Sequence, residues 1–336
     1  MANSEPLKKI KAPTLKDVAK EAGVSIATVS HAVNNTGSMS ADVKKKVQKV
    51  IKKLGYQPNK AARSMRTGKS MTIGLILPDF RYPLFPAIAR EVEIAASKFN
   101  YSVIFVNSYA DNKTEKDCFQ RMLQMGVDGI IWFPGSQEDT VPTLAKNIPI
   151  IVLDRDLSNY DVSIPNHFQG GKLQAEHLLS LGHKRIGIIS GPLIADNMIL
   201  RIDGAKQVIE KAGLKLQWVC ETGFHDLSPE AIQHILKKDV TAIIAGDDMI
   251  AINIYTELEK LDKDVHKNVS IIGFDNIAWA DIVKPALTTI NIPIKELAAD
   301  SIDMLLARIE KPNTPRKKRV IDVSLVARHS VVKVTE

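Results

Sequence analysis

The sequence predicts an all-helical N-terminal head followed by a larger α/β body built from two doubly wound parallel sheets. The first observation is charge, because residues 1–70 carry 15 Lys and Arg against 4 Asp and Glu, whereas residues 71–336 carry 30 against 34. The second is hydropathy, since short apolar runs separated by longer amphipathic stretches begin only after residue 70. Buried strands that alternate with helices are typical of doubly wound parallel sheets.

The composition is that of a globular protein. Hydrophobic residues make up 45% of the 336 and charged residues 25%, and this length predicts about two domains. The two cysteines, Cys118 and Cys220, form no CxxC motif, so we expect two free thiols. No apolar run approaches the length of a membrane span, and the N-terminus lacks the apolar run of a signal peptide. We therefore expect a cytoplasmic protein that makes no membrane contact.

The first two helices of the head are joined by a very short turn. Thr14, with Asp17 three residues later, is typical of a capped helix, and Gly23 ends that helix. Ser25 caps the next helix, so only Gly23 and Val24 lie between the two. This joint predicts a helix-turn-helix.

The rest of the head fits a nucleic-acid partner. Ser40 caps a third helix that ends at Gly55, and five lysines stand at positions 44–52. Lysines supply the salt-dependent part of affinity for phosphates. Away from Val29 and Val33, the second helix carries small and hydroxyl residues that would let it enter a major groove, namely Ser25, Ala27, Thr28 and Ser30.

Three segments of the head carry a family resemblance. They are TLKDVAKEAGVSIATVSH at 14–31, LGYQPN at 54–59 and ARSM at 62–65. Together they resemble the lactose-repressor (LacI/GalR) family of bacterial transcription regulators, and the similarity extends through the body to Arg328.

The resemblance implies a DNA interface. Ile26, Ala27 and His31 match residues that read base edges, where apolar side chains suit thymine methyl groups and a histidine can donate to a purine. The segment 58–66 matches a hinge helix that folds on DNA beside its dimer mate, with Met65 as a minor-groove wedge. We predict DNA contacts from Thr14, Ser25, Ile26, Ala27, Thr28, His31, Asn34, Tyr56, Ala62, Arg63, Met65 and Arg66.

The body contains eight predicted strands and seven predicted helices. The strands are expected at 72–77, 102–106, 129–133, 150–153, 185–190, 218–221, 242–245 and 270–274, with a linking strand before Asn166. The helices are expected near 84–99, 114–125, 168–181, 199–212, 229–237, 248–261 and 293–310. This number of units predicts two sheets.

Domain boundaries follow from these patterns and from the resemblance. We predict a helix-turn-helix domain over 1–57 and a hinge helix with its linker over 58–70. An N-terminal effector subdomain is expected at 71–165 and 293–323. A C-terminal effector subdomain is expected at 166–292 and 324–336.

Acids, arginines and aromatic residues follow the predicted strands, at the ends where open α/β sheets bind ligands. Such side chains suit a polyhydroxylated molecule, although Asp247 and Asp248 fit helix capping equally well. The body also resembles periplasmic sugar-binding proteins, which implies a carbohydrate effector such as a ribose-like pentose. The predicted effector residues are Phe85, Asp154, Arg155, Asn166, Asn197, Arg201, Phe224, Asp247 and Asp275.

Pro165 and Ile292 depart from the family pattern, because relatives often carry Asp and Gln there, so two polar contacts with ribose are missing. A purine or a sugar phosphate that acts as a corepressor therefore stays open as an alternative.

The resemblance implies a homodimeric regulator, most simply a repressor, that binds a pseudo-palindromic operator and responds allosterically to its effector. Induction and corepression both stay open.

One rival function is that of a sugar-binding protein whose head binds membrane or RNA, yet residues 1–55 contain no aromatic residue for a membrane surface. Another is a sugar-phosphate enzyme, but GxSxG, HExxH and GxGxxG motifs are absent. We expect no catalysis, cofactor or bound metal.

Overall fold

The computed structural model describes residues 13–34, 36–57, 68–194, 196–261 and 269–334. It divides the chain into two compact units, Met1–Ser70 and Met71–Glu336. The predicted hinge positions Ala62, Arg63, Met65 and Arg66 lie outside the described residues.

The described part of the head contains three helices, α1 (Leu15–Ala22), α2 (Ile26–Asn34) and α3 (Ala41–Leu54). A capping box begins α1, in which the Asp17 N–H donates to Oγ1 of Thr14 at 3.4 Å and the Thr14 N–H donates to Oδ2 of Asp17 at 2.8 Å. Gly23 then ends α1 in the left-handed region with φ 63°. The predicted helix-turn-helix is confirmed.

The interior of the head is small and apolar. Its buried side chains come from all three helices and from the residues after α3, and they are Val18, Ala19, Ala22, Val29, Ala32, Val47 and Tyr56. Val18, Val29 and Val47 have no exposed surface, so one cluster orients α2 relative to α1 and α3.

The first sheet of the body contains six parallel strands. They are β1 (Thr72–Leu77), β2 (Ser102–Asn107), β3 (Gly129–Trp132), β4 (Ile150–Leu153), β5 (Asp161–Pro165) and β11 (Lys318–Ile321). Their order across the sheet is β11-β5-β4-β3-β1-β2.

The second sheet also contains six strands. They are β6 (Ile186–Ser190), β7 (Trp218–Glu221), β8 (Ala242–Ala245), β9 (Ser270–Asp275), β10 (Thr288–Asn291) and β12 (Ser324–Val326). Their order is β12-β10-β9-β8-β6-β7, and only β12 is antiparallel to its neighbour.

Helices cover both sheets. They are α4 (Leu84–Ser97), α5 (Asn112–Gln124), α6 (His167–Ser180), α7 (Asp196–Lys211), α8 (Pro229–Lys237), α9 (Asp248–Leu261), α10 (Trp279–Ile282) and α11 (Ile294–Glu310), with a 3₁₀ turn at Thr143–Asn147. Within the described residues, no helix is both long and apolar enough to span a membrane.

The predicted fold class is confirmed, and the predicted strands and helices differ from the observed ones by three residues at most at any end. The eight predicted strands and the predicted linking strand, β5, account for nine of the twelve described strands, and β10, β11 and β12 were missed. β10 begins with two threonines, β11 begins with two cations and β12 has three residues. None of these forms the apolar run by which a buried strand is recognised in a sequence.

The chain passes between the sheets three times. It crosses from β5 to α6, from β10 to α11 and from β11 to β12. The Asn166 N–H at the first crossing donates to the carbonyl of Ile321 at the third, at 2.8 Å. Each sheet with its helices is therefore one half of the body, and neither half is a continuous piece of sequence.

Helices α6 and α7 approach so closely that a side chain does not fit at the contact. A Cβ at Gly171 would lie 1.9 Å from the carbonyl oxygen of Arg201. We predict that Gly171→Ala destabilises the body by about 1–3 kcal/mol, since the helices must separate to relieve the overlap. Thermal unfolding measures this. Gly223→Ala is the control because its Cβ would meet only ordinary contacts, and equal losses in both variants would contradict the prediction.

Candidate DNA-binding surface and effector cavity

The exposed side of α2 carries the residues that the sequence placed against DNA. Ser25, Ile26, Ala27 and His31 are exposed, and Ile26 keeps 45% of its surface open to solvent. This exposure of a large apolar side chain follows from the orientation of α2, whose Val29 turns inward. The surface can offer apolar contacts and one imidazole to a groove.

Two further predicted DNA residues, Thr28 and Thr14, lie near the starts of α2 and α1. The Ser25 hydroxyl caps α2 by accepting from the Thr28 N–H at 3.0 Å. Thr14 is exposed at the start of α1. Tyr56 is 7% exposed and packs in the core of the head, so its DNA contact stays a prediction for the small exposed part of the side chain. The side chain of Asn34 lies outside the description.

A cavity of about 210 Å³ lies between the carboxyl ends of the two sheets. Eight of the nine predicted effector residues line it, and they are Phe85, Asp154, Arg155, Asn197, Arg201, Phe224, Asp247 and Asp275. Asn166 is the predicted effector residue outside this lining, and its Oδ1 caps α6 by accepting from the Gln169 N–H at 3.1 Å. A wider groove of about 660 Å³ beside Trp218 is more open, and its charged side chains are exposed.

Asp154 is the shared acceptor of the cavity. Its Oδ2 accepts from Arg155 in the same loop and from Asn197 Nδ2 in the other half at 2.8 Å. Its Oδ1 lies 2.8 Å from Nε2 of His167. Burial alone would raise the pKa of Asp154, but His167 and Arg155 outweigh it and lower the pKa to about 2. Asp154 is therefore a buried carboxylate that joins both halves.

The described hydrogen bonds of Arg201 are made to residues of the second half. Its guanidinium donates to the carbonyl of Gly246, to Oδ1 of Asp275 at 3.3 Å and to Nδ1 of His167 at 3.3 Å. It also lies 3.6 Å from the centre of the Phe274 ring. Burial lowers the pKa of His167 from its ordinary value.

Asp247 and Asp275 form the acidic side of the cavity. The Tyr82 hydroxyl from the first half donates to Oδ2 of Asp275, so both oxygens of that carboxyl have protein partners. Oδ1 of Asp247 accepts from the Ile250 N–H at 2.8 Å, whereas its buried Oδ2 has no partner in the described part of the chain. Burial raises the pKa of Asp275 to about 6, and burial with the nearby Asp275 raises that of Asp247 to about 7.

Two buried side-chain atoms of the described lining residues have no hydrogen-bond partner, Oδ2 of Asp247 and Nε of Arg155. Aromatic rings flank them. Phe85 and Phe133 pack edge to face with centroids 4.9 Å apart, and Phe224 lines the opposite half. The lining thus combines an arginine, a carboxyl group with a raised pKa and aromatic rings, which together suit a small polar molecule.

Several lining residues were not predicted, and they include Tyr82, Phe133, Asp79 and His225. Tyr82 and Asp79 lie in the loop after β1. Their position beyond the end of a strand was the sequence signal that could have identified them as lining residues. Asp248, by contrast, is structural. Its Oδ2 accepts from the Ile277 N–H at 2.8 Å and its Oδ1 from the Thr289 hydroxyl at 2.6 Å.

Comparison with known proteins agrees with both units. A family model for bacterial regulatory proteins of the lacI family matches residues 14–59, and one for a periplasmic binding protein-like domain matches residues 175–331. The chain is 33% identical to the HTH-type transcriptional repressor PurR of Photorhabdus laumondii, over 95% of this chain and 97% of the relative. It is also 33% identical to the ribose operon repressor of Halalkalibacterium halodurans, over 94% and 96%.

Solved structures show the same likeness. The lac repressor dimer bound to operator and the anti-inducer ONPF superposes with a TM-score of 0.84 at 25% identity, covering 96% of this chain and all of that one. A LacI family regulator from Enterococcus faecium with bound ribose superposes with a TM-score of 0.67 at 29% identity, covering 79% of this chain and all of that one.

A helix-turn-helix head followed by a periplasmic-binding-protein-like body defines a class of bacterial transcription regulators that combine a DNA-binding unit with a ligand-binding unit. Within that class, the chain belongs to the LacI family.

The raised pKa of Asp247 predicts that the free energy of unfolding decreases as the pH rises. Because its pKa is about 7 in the folded protein and about 3.9 in an unfolded chain, ionisation favours unfolding increasingly from pH 4 to pH 7. We expect Asp247→Asn to be more stable than the wild type at pH 8, by on the order of 3 kcal/mol, and similar to it at pH 4. Denaturant unfolding at both values tests this, with the exposed Asp203→Asn as control.

Proposed function

We propose that this protein is a transcriptional repressor that binds operator DNA as a homodimer and is controlled by a small carbohydrate, with a pentose such as ribose as the first candidate. The observation that carries the DNA-binding part is the exposed side of α2, where Ile26 and His31 stand free of the core of the head. A pseudo-palindromic operator follows from two-fold symmetry, since one head covers only a half-site.

The proposed domain limits are those given by the sequence, with the head at 1–57, the hinge and linker at 58–70, and the two effector subdomains as above. Within the hinge, Met65 is the proposed minor-groove wedge, and Arg63 and Arg66 are the proposed phosphate contacts. Relatives are named as transcriptional repressors, which supports a cytoplasmic, non-catalytic role.

The head makes a prediction about sequence specificity. We expect His31→Ala to lose preference at one base pair of each half-site, by roughly 5- to 100-fold, because the imidazole would supply a base-edge contact there. The exposed Lys49→Ala should instead weaken specific and nonspecific duplexes alike and reduce the salt dependence.

Selection from random duplexes followed by fluorescence anisotropy across a salt series measures both effects. If the wild-type chain selects no duplex, or if deleting residues 1–70 leaves affinity and salt slope unchanged, the DNA-binding proposal is wrong.

The chemistry of the cavity supports a neutral, hydroxylated effector. Arg201 donates to Asp275 and to the Gly246 carbonyl, and Arg155 donates to Asp154, so the charge of each cation is already balanced or shared within the protein and a neutral ligand is favoured over a phosphate. The free Nε of Arg155 and Oδ2 of Asp247 suit hydroxyl groups, which both donate and accept. The ribose bound to the Enterococcus faecium regulator agrees with this choice.

Effector control would follow from closure of the two halves around the ligand. A ligand shifts such an equilibrium only by its preference for one state, typically about 1–3 kcal/mol. Motion of the halves would change the separation of the two hinge segments in a dimer, and so their ability to pair on DNA.

We predict that D-ribose or another pentose raises the unfolding temperature of the whole chain, and that Arg155→Gln abolishes the shift because it removes the free donor. Arg185→Gln is the matched control, since Arg185 lies outside the cavity and donates to the carbonyl of Asp239. Hexoses, purines and pentose phosphates complete the screen. A shift with a purine and none with sugars would replace the carbohydrate proposal by the purine alternative.

A further inference from the structure

One wall of the effector cavity is formed by two loops of the first half. The loop after β2 contributes Tyr109 and Ala110, and the loop after β3 contributes Phe133, Pro134 and Gly135. Strands β2 and β3 lie on opposite sides of β1 and do not pair with each other. Because neighbouring strands are about 4.8 Å apart, the two loops leave the sheet about 10 Å from each other. The hydrogen bonds of the sheet therefore do not hold this wall together.

The two loops nevertheless touch. A Cβ at Gly135 would lie 2.8 Å from Cα of Ala110, so a side chain does not fit at this contact. Tyr109 and Ala110 are both in the left-handed region, with φ 56° and 53°. Successive residues that carry a Cβ adopt this conformation only where surrounding contacts impose it. The shape of the wall therefore depends on contacts outside the strands.

A buried carboxyl group supplies such contacts. Glu115 lies in α5, the helix that follows the loop after β2, and is 1% exposed. Its Oε2 accepts from the Gly135 N–H at 3.1 Å, and its Oε1 accepts from the Thr140 hydroxyl at 2.5 Å, both in the loop after β3. The Ser108 hydroxyl, just after β2, lies 3.5 Å from Oε2 and 3.4 Å from the carbonyl of Leu77. One side chain thus connects the two loops.

The remaining contacts between α5 and the loop after β3 lie nearer the surface. The Ser136 hydroxyl donates to Oδ1 of Asn112 at 3.0 Å, and Nδ2 of Asn112 donates to Oε2 of Glu138 at 2.6 Å. Water competes for such groups more readily than for a buried carboxyl. Glu115 itself lies outside the lining of the cavity, so it acts on a ligand only through the loops that it holds.

We propose that Glu115 is a positioning residue that holds the first-half wall of the effector cavity in place and thereby contributes to effector affinity. The proposal rests on the proposed function, since it concerns the cavity assigned there to a carbohydrate. Without the carboxyl group, the Gly135 N–H and the Thr140 hydroxyl would be buried without acceptors, which is costly. The loop after β3 would move to relieve this cost, and Ala110 would lose the neighbour against which it packs.

Two substitutions of Glu115 test the role of its oxygens. Glu115→Ala removes both acceptors. Glu115→Gln is the conservative variant, since its amide oxygen can accept from the Gly135 N–H while its NH₂ group donates to Thr140, whose hydroxyl can turn. Thr140→Val removes one of the two bonds at nearly constant shape, and it provides the same comparison if Glu115→Ala does not fold.

Two further variants are controls. Glu138→Gln makes the same chemical change as Glu115→Gln, but at an exposed position of the same loop. Gly129→Ala crowds the start of β3, the end of that strand away from the cavity, because its Cβ would lie 2.7 Å from Cδ1 of Leu305. It should lower the stability of the same sheet without changing the wall.

The test is a calorimetric titration of the whole chain with D-ribose, together with the unfolding temperature of each variant. We expect Glu115→Ala to bind about three- to twentyfold more weakly than the wild type, Thr140→Val to lose less, and Glu115→Gln to recover most of the affinity. Glu138→Gln should follow the wild type. Gly129→Ala should lose unfolding temperature and keep its affinity.

Three results would overturn the proposal. The first is a Glu115→Ala variant that binds D-ribose like the wild type. The second is an equal loss of affinity in Glu115→Ala and Glu115→Gln, because the effect would then not depend on the acceptors. The third is a loss of affinity in Gly129→Ala that matches that of Glu115→Ala at the same loss of unfolding temperature, because stability alone would then account for both.

Amide hydrogen exchange without ligand separates this proposal from the identity of the effector. Segments 108–111 and 133–140 should exchange about fivefold faster or more in Glu115→Ala, while residues 73–76 of β1 exchange as in the wild type. If D-ribose does not bind the wild type while this local difference is present, the carbohydrate proposal fails and the positioning role of Glu115 stands. If D-ribose binds while both segments exchange unchanged in Glu115→Ala, the carbohydrate proposal stands and the positioning role is wrong.

Discussion

The Asp154 carboxylate is the contact on which the geometry of the cavity depends. Its partners come from its own loop, from α7 and from the start of α6, so a single group fixes residues of both halves. Asp154 itself has φ 68°, a costly conformation for a residue other than glycine that persists where surrounding contacts impose it. Buried charges are tolerated only in such connected sets, because each unpaired charge would carry a large desolvation cost.

The regular parts of the fold could be predicted because their signals are local. β1, β4, β7 and β8 have the expected bounds, since each is a short run with turn residues or charges at its ends. The missed strands are not short apolar runs of this kind. They form by pairing with strands that are distant in the sequence. Lys318 of β11 pairs with Val162, and Ile290 of β10 with Leu325 of β12. Their strand conformation comes from pairing that a local pattern does not contain.

The location of the cavity could be predicted from the rule that ligands bind beyond the carboxyl ends of parallel strands. The bonding within it could not, because Tyr82 and Asp275 are far apart in the chain and meet only when the two halves face each other. Asn166 caps a helix and Tyr56 packs in the core of the head, and a sequence does not separate such structural roles from binding because both use the same residue types. Family resemblance supplied the DNA role of the head, whereas the free atoms of Arg155 and Asp247 became visible only in three dimensions.

The order of the strands also bears on how the molecule is made. Five strands of the first sheet lie within residues 72–165, but β11, which covers the edge of β5, is formed by residues 318–321. During translation, the hydrogen-bonding edge of β5 stays uncovered while the intervening residues are synthesised, for roughly 10–30 s at bacterial speeds. Such an edge is a template for pairing with another chain. Nascent chains on one polysome are therefore exposed to mispairing at β5 until the final strands emerge.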